Sequence, residues 1–471
     1  MTEAPLARAW LATRDRAAHS MQIPGHKGRY RFTHDAIGAD LLGPLVRDDI
    51  PMQGGVDDNA YSQGYLATAE ELWAHAIGGD HARFLVGGST QGNISALTTV
   101  GRPGEPIVMD RTSHRSVQAA LVVTGARPVW IYPTIHPEFG IPVGMPTSSL
   151  ADIPPDATAV FITSPSYVGS ITDVAALAEI VHARGLPLVV DQAWGAHLDF
   201  LSGRGAIVNG ADLAITSVHK ALLGYTQTAT VTMRDGLVSR AALDRCVDLV
   251  GTTSPSGTLL ASIDATRAVL ERAGSSAFDP LIEAVARARR NLARVVGVVV
   301  IDESTVGCAV DPLKLTLWLP RTGVVGTDMA ERLWDIGHGA ETADQDTLVL
   351  TFTIADDPAF VDDMTTLMIN MIESMRGPAR EASPTAVWRV EPEVAMTPRD
   401  AYFAPRRRIA LADAAGEISA EQFTPYPPGV PLIAPGERVT AELIEAVHIA
   451  GRTGRVAYSS DPTLATIEIV A

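Results

Sequence analysis

Short apolar runs alternate with segments of helical spacing along the first half of the chain. Six runs have the length of a strand: 83–86, 106–109, 128–132, 157–163, 186–190 and 211–215. Segments between them, such as 66–77 and 173–184, place apolar residues at the spacing of an amphipathic helix. This alternation is typical of a mainly parallel sheet covered by helices on both faces. The hydrophobic pattern therefore predicts an α/β domain.

The pattern changes in the second half. Residues 236–300 read as largely helical, and from about 296 to 375 two strands (313–319 and 347–354) alternate with helices at 328–336 and 358–375. A tail rich in proline follows. We therefore predict an N-terminal segment with an entrance loop (1–60), a large domain (61–270), a smaller α/β domain (271–378) and a C-terminal domain (387–471).

Composition narrows the class of protein. The 54 acidic residues exceed the 37 basic ones and give a net charge of −17, which provides no electrostatic footprint for nucleic acid or an anionic membrane. The chain has two cysteines, too few for a disulfide framework, which suits a reducing compartment. No signal peptide opens the chain, and no apolar run reaches the ~18 residues that span a bilayer. We expect a cytoplasmic protein.

Polar residues stand just after the predicted strands. They are Ser89, His114, Ser166, Asp191 and Lys220. In open α/β sheets, ligands bind at the carboxyl ends of the strands. The spacing of these residues therefore predicts that they converge on one site.

Lys220 is the centre of the predicted chemistry. It leaves a buried strand, and desolvation lowers the pKa of an amine, so that a neutral lysine can attack a carbonyl carbon. Ser217 and His219 beside it suit an anion such as a phosphate. The alternative is an ordinary loop lysine with a capping serine. Our interpretation is that Lys220 forms a Schiff base with pyridoxal phosphate (PLP).

Other residues fit the remaining needs of that cofactor. The glycine-rich turn at 87–93 carries Ser89 and Thr90 between a strand and a helix, an arrangement that favours phosphate, although plain helix caps use the same residues. The carboxylate of Asp191 is suited to keep the pyridine nitrogen of the cofactor protonated. The alternative is that Asp191 caps the N-terminus of a helix. His114 and the methyl group of Ala193 could pack on the two faces of the ring.

Two other kinds of active site lack their sequence signatures. The two cysteines lie far apart, and no pair of histidines at i and i+4 encloses a glutamate, so we predict no metal. The stretch Gly87 to Gln91 lacks the second glycine of the Gly-x-Ser-x-Gly motif of serine hydrolases.

The ordered set of motifs resembles the bacterial ornithine/lysine/arginine decarboxylase family of fold-type I PLP enzymes. The motifs are Pro24-Gly25-His26-Lys27, 84–93, 110–117, 163–167, 191–197, Ser217 to Lys220, 253–256, 425–431 and 435–437. The resemblance covers nearly the whole chain. The chain is similar to the short members of the family, which lack an N-terminal wing domain. It implies an aspartate aminotransferase-like large domain, a smaller α/β domain and a C-terminal extension.

The resemblance also implies roles for particular residues. Lys220 would bind the cofactor, His219 or Lys220 would return a proton to the substrate, and His114 would stack on the ring. The cofactor-binding set would be Lys220, Asp191, Ala193, His114, Ser89, Thr90, Gln91, Ser166, Ser217 and His219, with Thr253 and Ser254 from the partner of a homodimer with shared active sites. Larger rings are known in members with the wing domain.

The expected reaction is decarboxylation of lysine, arginine or ornithine through an external aldimine, yielding an amine for polyamine biosynthesis and CO2. Asp48, Asp49, Asp58 and Glu437 are candidates for binding the distal amine. Departures from the family pattern at Gly87, Asn59, Arg115, Gln192 and Trp194 leave the amino acid open. The alternatives are another PLP reaction (an aminotransferase, lyase or aldolase) or a non-catalytic regulatory protein with this fold.

Overall fold

A seven-stranded sheet forms the centre of the large domain. The computed structural model of the protein describes residues 3–16, 24–28, 45–52, 56–57, 64–382, 390–426, 429–452 and 456–471. The strands are β1 (His81–Leu85), β2 (Pro106–Asp110), β3 (Arg127–Ile131), β4 (Val160–Thr163), β5 (Leu188–Asp191), β6 (Leu213–Ser217) and β7 (Ala229–Met233). Their order is β3–β2–β4–β5–β6–β7–β1, and β7 alone of these seven runs in the direction opposite to the other six.

Helices cover both faces of this sheet. They are α1 (Pro5–Asp15), α2 (Tyr65–Ala76), α3 (Gly88–Val100), α4 (Ser116–Thr124), α5 (Val174–His182), α6 (Val218–Ala221), α7 (Arg240–Val250) and α8 (Gly257–Ala273). Along β4 and β5, Phe161 and Val189 face a core with α3, α4 and α7, whereas Ile162 and Val190 face a core with α5. Burial on both faces explains why these strands read as continuous apolar runs. The predicted α/β fold is confirmed.

A second sheet belongs to the small domain. Its strands are β8 (Val299–Val300), β9 (Lys314–Trp318), β10 (Thr342–Ala343) and β11 (Thr347–Thr351), and they pair in the antiparallel order β10–β11–β9–β8. The helices are α9 (Asp279–Leu292), α10 (Glu303–Val306), α11 (Gly326–Asp335) and α12 (Pro358–Met375). The apolar faces of α9 and α12 pack together on this sheet. The helix predicted over 358–375 is observed with the same bounds.

The C-terminal region has its own apolar core and packs on the large domain. It contains α13 (Pro398–Phe403), β12 (Arg406–Ala410), β13 (Thr424–Tyr426), α14 (Ala441–Arg452), β14 (Val456–Tyr458) and β15 (Thr466–Val470). Two ladders form, β12 with β15 and β13 with β14. The guanidinium of Arg111 donates hydrogen bonds to the carbonyls of Pro431 and Leu432 and pairs with Glu437. These contacts bring the C-terminal region to the carboxyl edge of the main sheet.

The N-terminal helix α1 is fastened to α8 by one buried carboxylate. The N–H groups of Leu6 and Ala7 donate to Oδ2 of Asp264 at 3.0 and 3.1 Å, and Arg267 pairs with Oδ1 of the same side chain at 2.9 Å. These N–H groups lie in the first turn of α1, where the helix itself offers no acceptor. Among the described helices, none is both long enough and apolar enough to cross a bilayer.

Candidate active site

The carboxyl ends of the parallel strands surround a cavity of about 330 Å³. The five polar residues that follow the predicted strands all line it: Ser89, His114, Ser166, Asp191 and Lys220. Thr90, Ala193, Ser217 and His219 line it as well, and Val430 reaches it from the C-terminal region. The cavity therefore gathers most of the residues that the sequence assigns to one site.

Lys220 enters this cavity from α6, a single helical turn that directly follows β6. Its Nζ lies 3.9 Å from the centroid of the Trp194 ring, a cation–π contact. Burial lowers the pKa of the Lys220 amine, and the carboxylates of Asp191 and Glu341 oppose that shift. The arrangement makes a neutral, nucleophilic amine more accessible than at a solvated lysine.

Asp191 ends β5 as a buried carboxylate with hydrogen bonds at both oxygens. Oδ1 accepts from the N–H of Ala193 at 3.0 Å, and Oδ2 accepts from Nδ2 of Asn93 at 2.8 Å. Burial raises the pKa of Asp191, while the Asn93 hydrogen bond and the Lys220 charge lower it. The side chain is held rigidly at the cavity wall, where a cationic ring nitrogen would stabilise its charge.

A hydrogen-bond chain joins Asp191 to His114. Nδ2 of Asn93 also donates to Oγ of Ser116 at 2.9 Å, and that hydroxyl lies 2.9 Å from Nδ1 of His114. The N–H of Ser116 donates to the same Nδ1 at 3.2 Å, so Nδ1 is an acceptor and the ring proton resides on Nε2. Burial, then the charges of Lys220 and Arg115, lower the pKa of His114 to about 4. The imidazole is neutral at pH 7.

The start of α3 and the end of β6 meet in a corner whose geometry suits an anion. The Oγ atoms of Ser89 and Ser217 are 2.6 Å apart, and α3 begins at Gly88, whose φ is +67°. The first-turn N–H groups of such a 13-residue helix lack intrahelical acceptors and favour an anion. Also in the cavity lining, Nδ1 of His219 donates to the carbonyl of Thr228 at 2.8 Å.

Comparison with known proteins decides the family. The model of the major domain of Orn/Lys/Arg decarboxylases matches residues 4–307, and the model of the C-terminal domain of the same family matches residues 382–452. The chain belongs to the Orn/Lys/Arg decarboxylase family. The arginine decarboxylase of Halalkalibacterium halodurans is 30% identical over 465 residues, which cover 95% of this chain and 94% of that protein. The family resemblance seen in the motifs is confirmed.

Solved structures share the fold. The lysine decarboxylase LdcF of Francisella novicida superposes with a TM-score of 0.84 at 18% identity, over 99% of this chain and 81% of that one. The serine palmitoyltransferase of Sphingomonas wittichii matches with a TM-score of 0.54 at 16% identity, over 74% of this chain and 84% of that one. The predicted fold-type I architecture is confirmed.

Three residues of the predicted cofactor set lie outside the cavity around Lys220. The side chain of Gln91 turns back, and its Oε1 accepts from the N–H of Gly87 at 2.9 Å. Thr253 and Gln91 line a neighbouring cavity of about 700 Å³, and Ser254 lies beside Thr253 on an exposed loop between α7 and α8. Thr253 and Ser254 are therefore accessible to a second subunit.

Of the four acidic residues proposed for the distal amine, the three that the structure describes, Asp48, Asp49 and Glu437, do not line the cavity around Lys220. Glu437 is buried in an ion pair with Arg111 at 3.1 Å and accepts from the N–H of Ala434. Asp49 lies 3.1 Å from Nε2 of His26, and Asp48 faces Arg47. Asp58 falls outside the described residues. The ion pair with Arg111 occupies Glu437 and ties the C-terminal region to the large domain.

Several cavity residues were not predicted from the sequence. Trp194 contacts Lys220, Asn93 bonds Asp191, and Gln227 lines the cavity with a positive φ of 78°. The position of Asn93, one turn into a helix that follows the glycine-rich loop, was the available signal for it. Within the described part of the chain, no cluster of three or more His, Cys, Asp or Glu side chains is placed to hold a metal ion.

Proposed function

We propose that this decarboxylase removes CO2 from a basic L-amino acid (lysine, arginine or ornithine) with PLP as its cofactor. The observation that carries the proposal is the meeting of Lys220, Asp191 and His114 in one cavity. Membership of the family supports the reaction class, and relatives over nearly the full length of the chain are named arginine decarboxylases. Lysine decarboxylases also match over 93% of this chain.

The residues of the cavity fit PLP. Burial raises the pKa of the Asp191 carboxyl, and a protonated pyridine nitrogen beside it would favour the charged carboxylate. The paired hydroxyls of Ser89 and Ser217, at a helix N-terminus, suit the phosphate. Lys220 supplies a desolvated amine for the aldehyde. Each part of the cofactor thus finds a group of matching chemistry.

Each residue then has a task in the reaction. When bound, PLP supplies an electron sink for the electron pair that departing CO2 leaves behind. Asp191 holds negative charge where the ring nitrogen must stay protonated, and Asn93 fixes its orientation. His114 is neutral and offers a flat face for stacking. Nζ of Lys220 would hold the cofactor, and the same amine could carry a proton to the substrate carbon.

We further propose a homodimer whose active sites are shared, with Thr253 and Ser254 of one subunit completing the site of the other. Their exposure on the loop between α7 and α8 supports this arrangement. We also propose that the protein works in the cytoplasm, where its amine product would enter polyamine biosynthesis.

Replacement of Lys220 tests the cofactor assignment. Purified wild-type protein incubated with PLP should show the visible absorption of a lysine-bound cofactor, and Lys220→Ala should lack it and lack decarboxylation. Arg240→Ala, which removes an exposed cation paired with Asp235, serves as the control and should keep both. Retention of the band by Lys220→Ala would refute the assignment of this lysine.

A further inference from the structure

A second buried lysine lies beside the one assigned to the cofactor. Of the 37 basic residues in the chain, three are lysines and the other 34 are arginines. Lysine is therefore not the residue this protein uses for ordinary positive charge. Lys314, at the start of β9, is completely buried, and its Nζ has no hydrogen-bond partner among the residues that the structure describes. A buried amine without a partner is costly, which points to a role outside packing.

Lys314 and Lys220 share one aromatic ring. Nζ of Lys314 lies 4.2 Å from the centroid of the Trp194 ring, and Nζ of Lys220 lies 3.9 Å from it. The two amines are therefore separated by no more than the sum of these distances, 8.1 Å. At this separation inside a protein, one positive charge shifts the titration of another by roughly one pH unit.

Other titratable groups around the two amines also affect their protonation. Lys314 faces the carboxylates of Asp311 and Glu341, and Lys220 faces those of Asp191 and Glu341. The carboxylate of Asp311 acts on Lys314 and also contacts a histidine, since its Oδ1 lies 2.8 Å from Nε2 of buried His197. His114 and His219 lie beside Lys220, and burial lowers the pKa of both.

Lys314 keeps its proton at neutral pH. Burial lowers the pKa of Lys314 to about 8, the charge of Lys220 lowers it as well, and Asp311 and Glu341 oppose the shift. Below pH 8 the side chain is therefore a cation. The side-chain stem of Lys314 packs closely against Gly169, whose φ is +96°. Its Cδ lies 3.1 Å from the position that a Cβ would take at that glycine.

We propose that Lys314 is a positioning residue of the decarboxylase site, whose buried ammonium on the Trp194 indole disfavours a proton on the nitrogen of Lys220. The inference rests on the proposed function, which assigns Lys220 to the cofactor. A neighbouring cation is one of the ways in which proteins activate a lysine for attack on a carbonyl. Because Lys314 lies on a strand of the small domain, the effect links the placement of that domain to the reactivity of Lys220.

A pH titration of the holoenzyme spectrum tests this directly. Lys314→Met keeps the length and apolar stem but removes the charge, so the visible band should titrate about one pH unit higher than in wild type. The direction follows because losing a neighbouring cation favours the protonated nitrogen. Lys314→Arg, which keeps the charge, should titrate close to the wild type. A Lys314→Met protein with the wild-type midpoint would overturn the proposal.

A reciprocal measurement needs no change at Lys314. Labelling with ¹³C at Cε gives one NMR signal for each of the three lysines of this chain. Lys27→Arg and Lys220→Ala each remove one signal, so that all three are assigned. In Lys220→Ala the Lys314 signal should titrate at higher pH by a similar shift, since coupling between two sites is mutual. An unchanged Lys314 midpoint would contradict the proposal. A wild-type protein without a visible band in PLP would instead refute the proposed function.

Discussion

At the residue scale, Asn93 is the hub of the site. Its Nδ2 donates to Asp191 and to Ser116, so one amide orients both the carboxylate proposed for the ring nitrogen and the histidine proposed for the ring face. Lys220 and Asp191 could be predicted because each directly follows an apolar strand. Asn93 and Trp194 could not, because their roles depend on which way a side chain points from its element.

Removal of this hub should weaken the site without unfolding the protein. We expect Asn93→Ala to lower kcat or PLP affinity about 10- to 100-fold, the range for a hydrogen bond to a charged group. Steady-state kinetics and a PLP titration would measure it. Thr99→Ala, which loses a hydroxyl bonded to the Ser95 carbonyl on the same helix, is the control. Equal losses in the two variants would contradict the role of Asn93.

Asp199 should make stability depend on pH. Burial raises the pKa of Asp199 to about 7, above the ordinary 3.8, against hydrogen bonds from Gln192 and Thr216. The folded state therefore binds this proton more tightly, and the stabilisation present below pH 4 is lost as the pH rises to 7.

Asp199→Asn removes this dependence. The variant should exceed the wild type in free energy of unfolding by about 1–3 kcal/mol at pH 8, and the gain should fall towards zero near pH 4. Denaturant unfolding at both pH values measures the difference. Asp235→Asn, at an exposed ion pair, should show little of it. A gain that is the same at both pH values would exclude Asp199 as its source.

At the element scale, strands buried on both faces were the readily predicted part of the fold. β4, β5 and β6 stand out as apolar runs, although β6 is observed at Leu213–Ser217, two residues later than predicted. The antiparallel β7 is absent from the prediction. The stretch Ala229-Thr230-Val231-Thr232-Met233 alternates polar and apolar residues, as in a half-buried strand, yet every one of them is buried. Parts of the chain that are distant in sequence bury its threonines, and a local sequence pattern does not reveal those contacts.

The docking of α1 rests on the buried pair of Asp264 and Arg267. Asp264→Ala removes the acceptor of two N–H groups and leaves the buried Arg267 guanidinium with Glu271 as its remaining carboxylate partner, so we expect a loss of about 2–4 kcal/mol. Thermal and denaturant unfolding would show it. Asp279→Ala, at an exposed helix start, should change stability by less than ~1 kcal/mol. A loss no larger for Asp264→Ala would contradict this account of α1.

At the scale of the whole molecule, the site is assembled from distant parts of the chain. The large domain supplies most of the cavity, the C-terminal region adds Val430, and Lys314 arrives from the small domain. The motifs predicted that these segments belong together. They did not predict that Glu437 would bind Arg111, because only the packed domains show that this carboxylate is enclosed.

Shared active sites predict complementation between two inactive variants. Lys220→Ala lacks the amine, and Thr253→Asp with Ser254→Asp should repel the phosphate in the partner's site. Coexpressed subunits should form hybrids with one intact site of two, and therefore about half of the wild-type activity per hybrid dimer. Tagged hybrids purified by sequential affinity steps allow the assay. Hybrids that form but stay inactive would contradict sharing.

The most direct test of the central claim is the product balance of the wild-type protein. With PLP and lysine, arginine or ornithine in turn, CO2 and the corresponding amine should be released in equal amounts from at least one of them, and neither should form with Lys220→Ala. Formation of an α-keto acid without CO2 from every amino acid tried would contradict the assignment as a decarboxylase of basic amino acids.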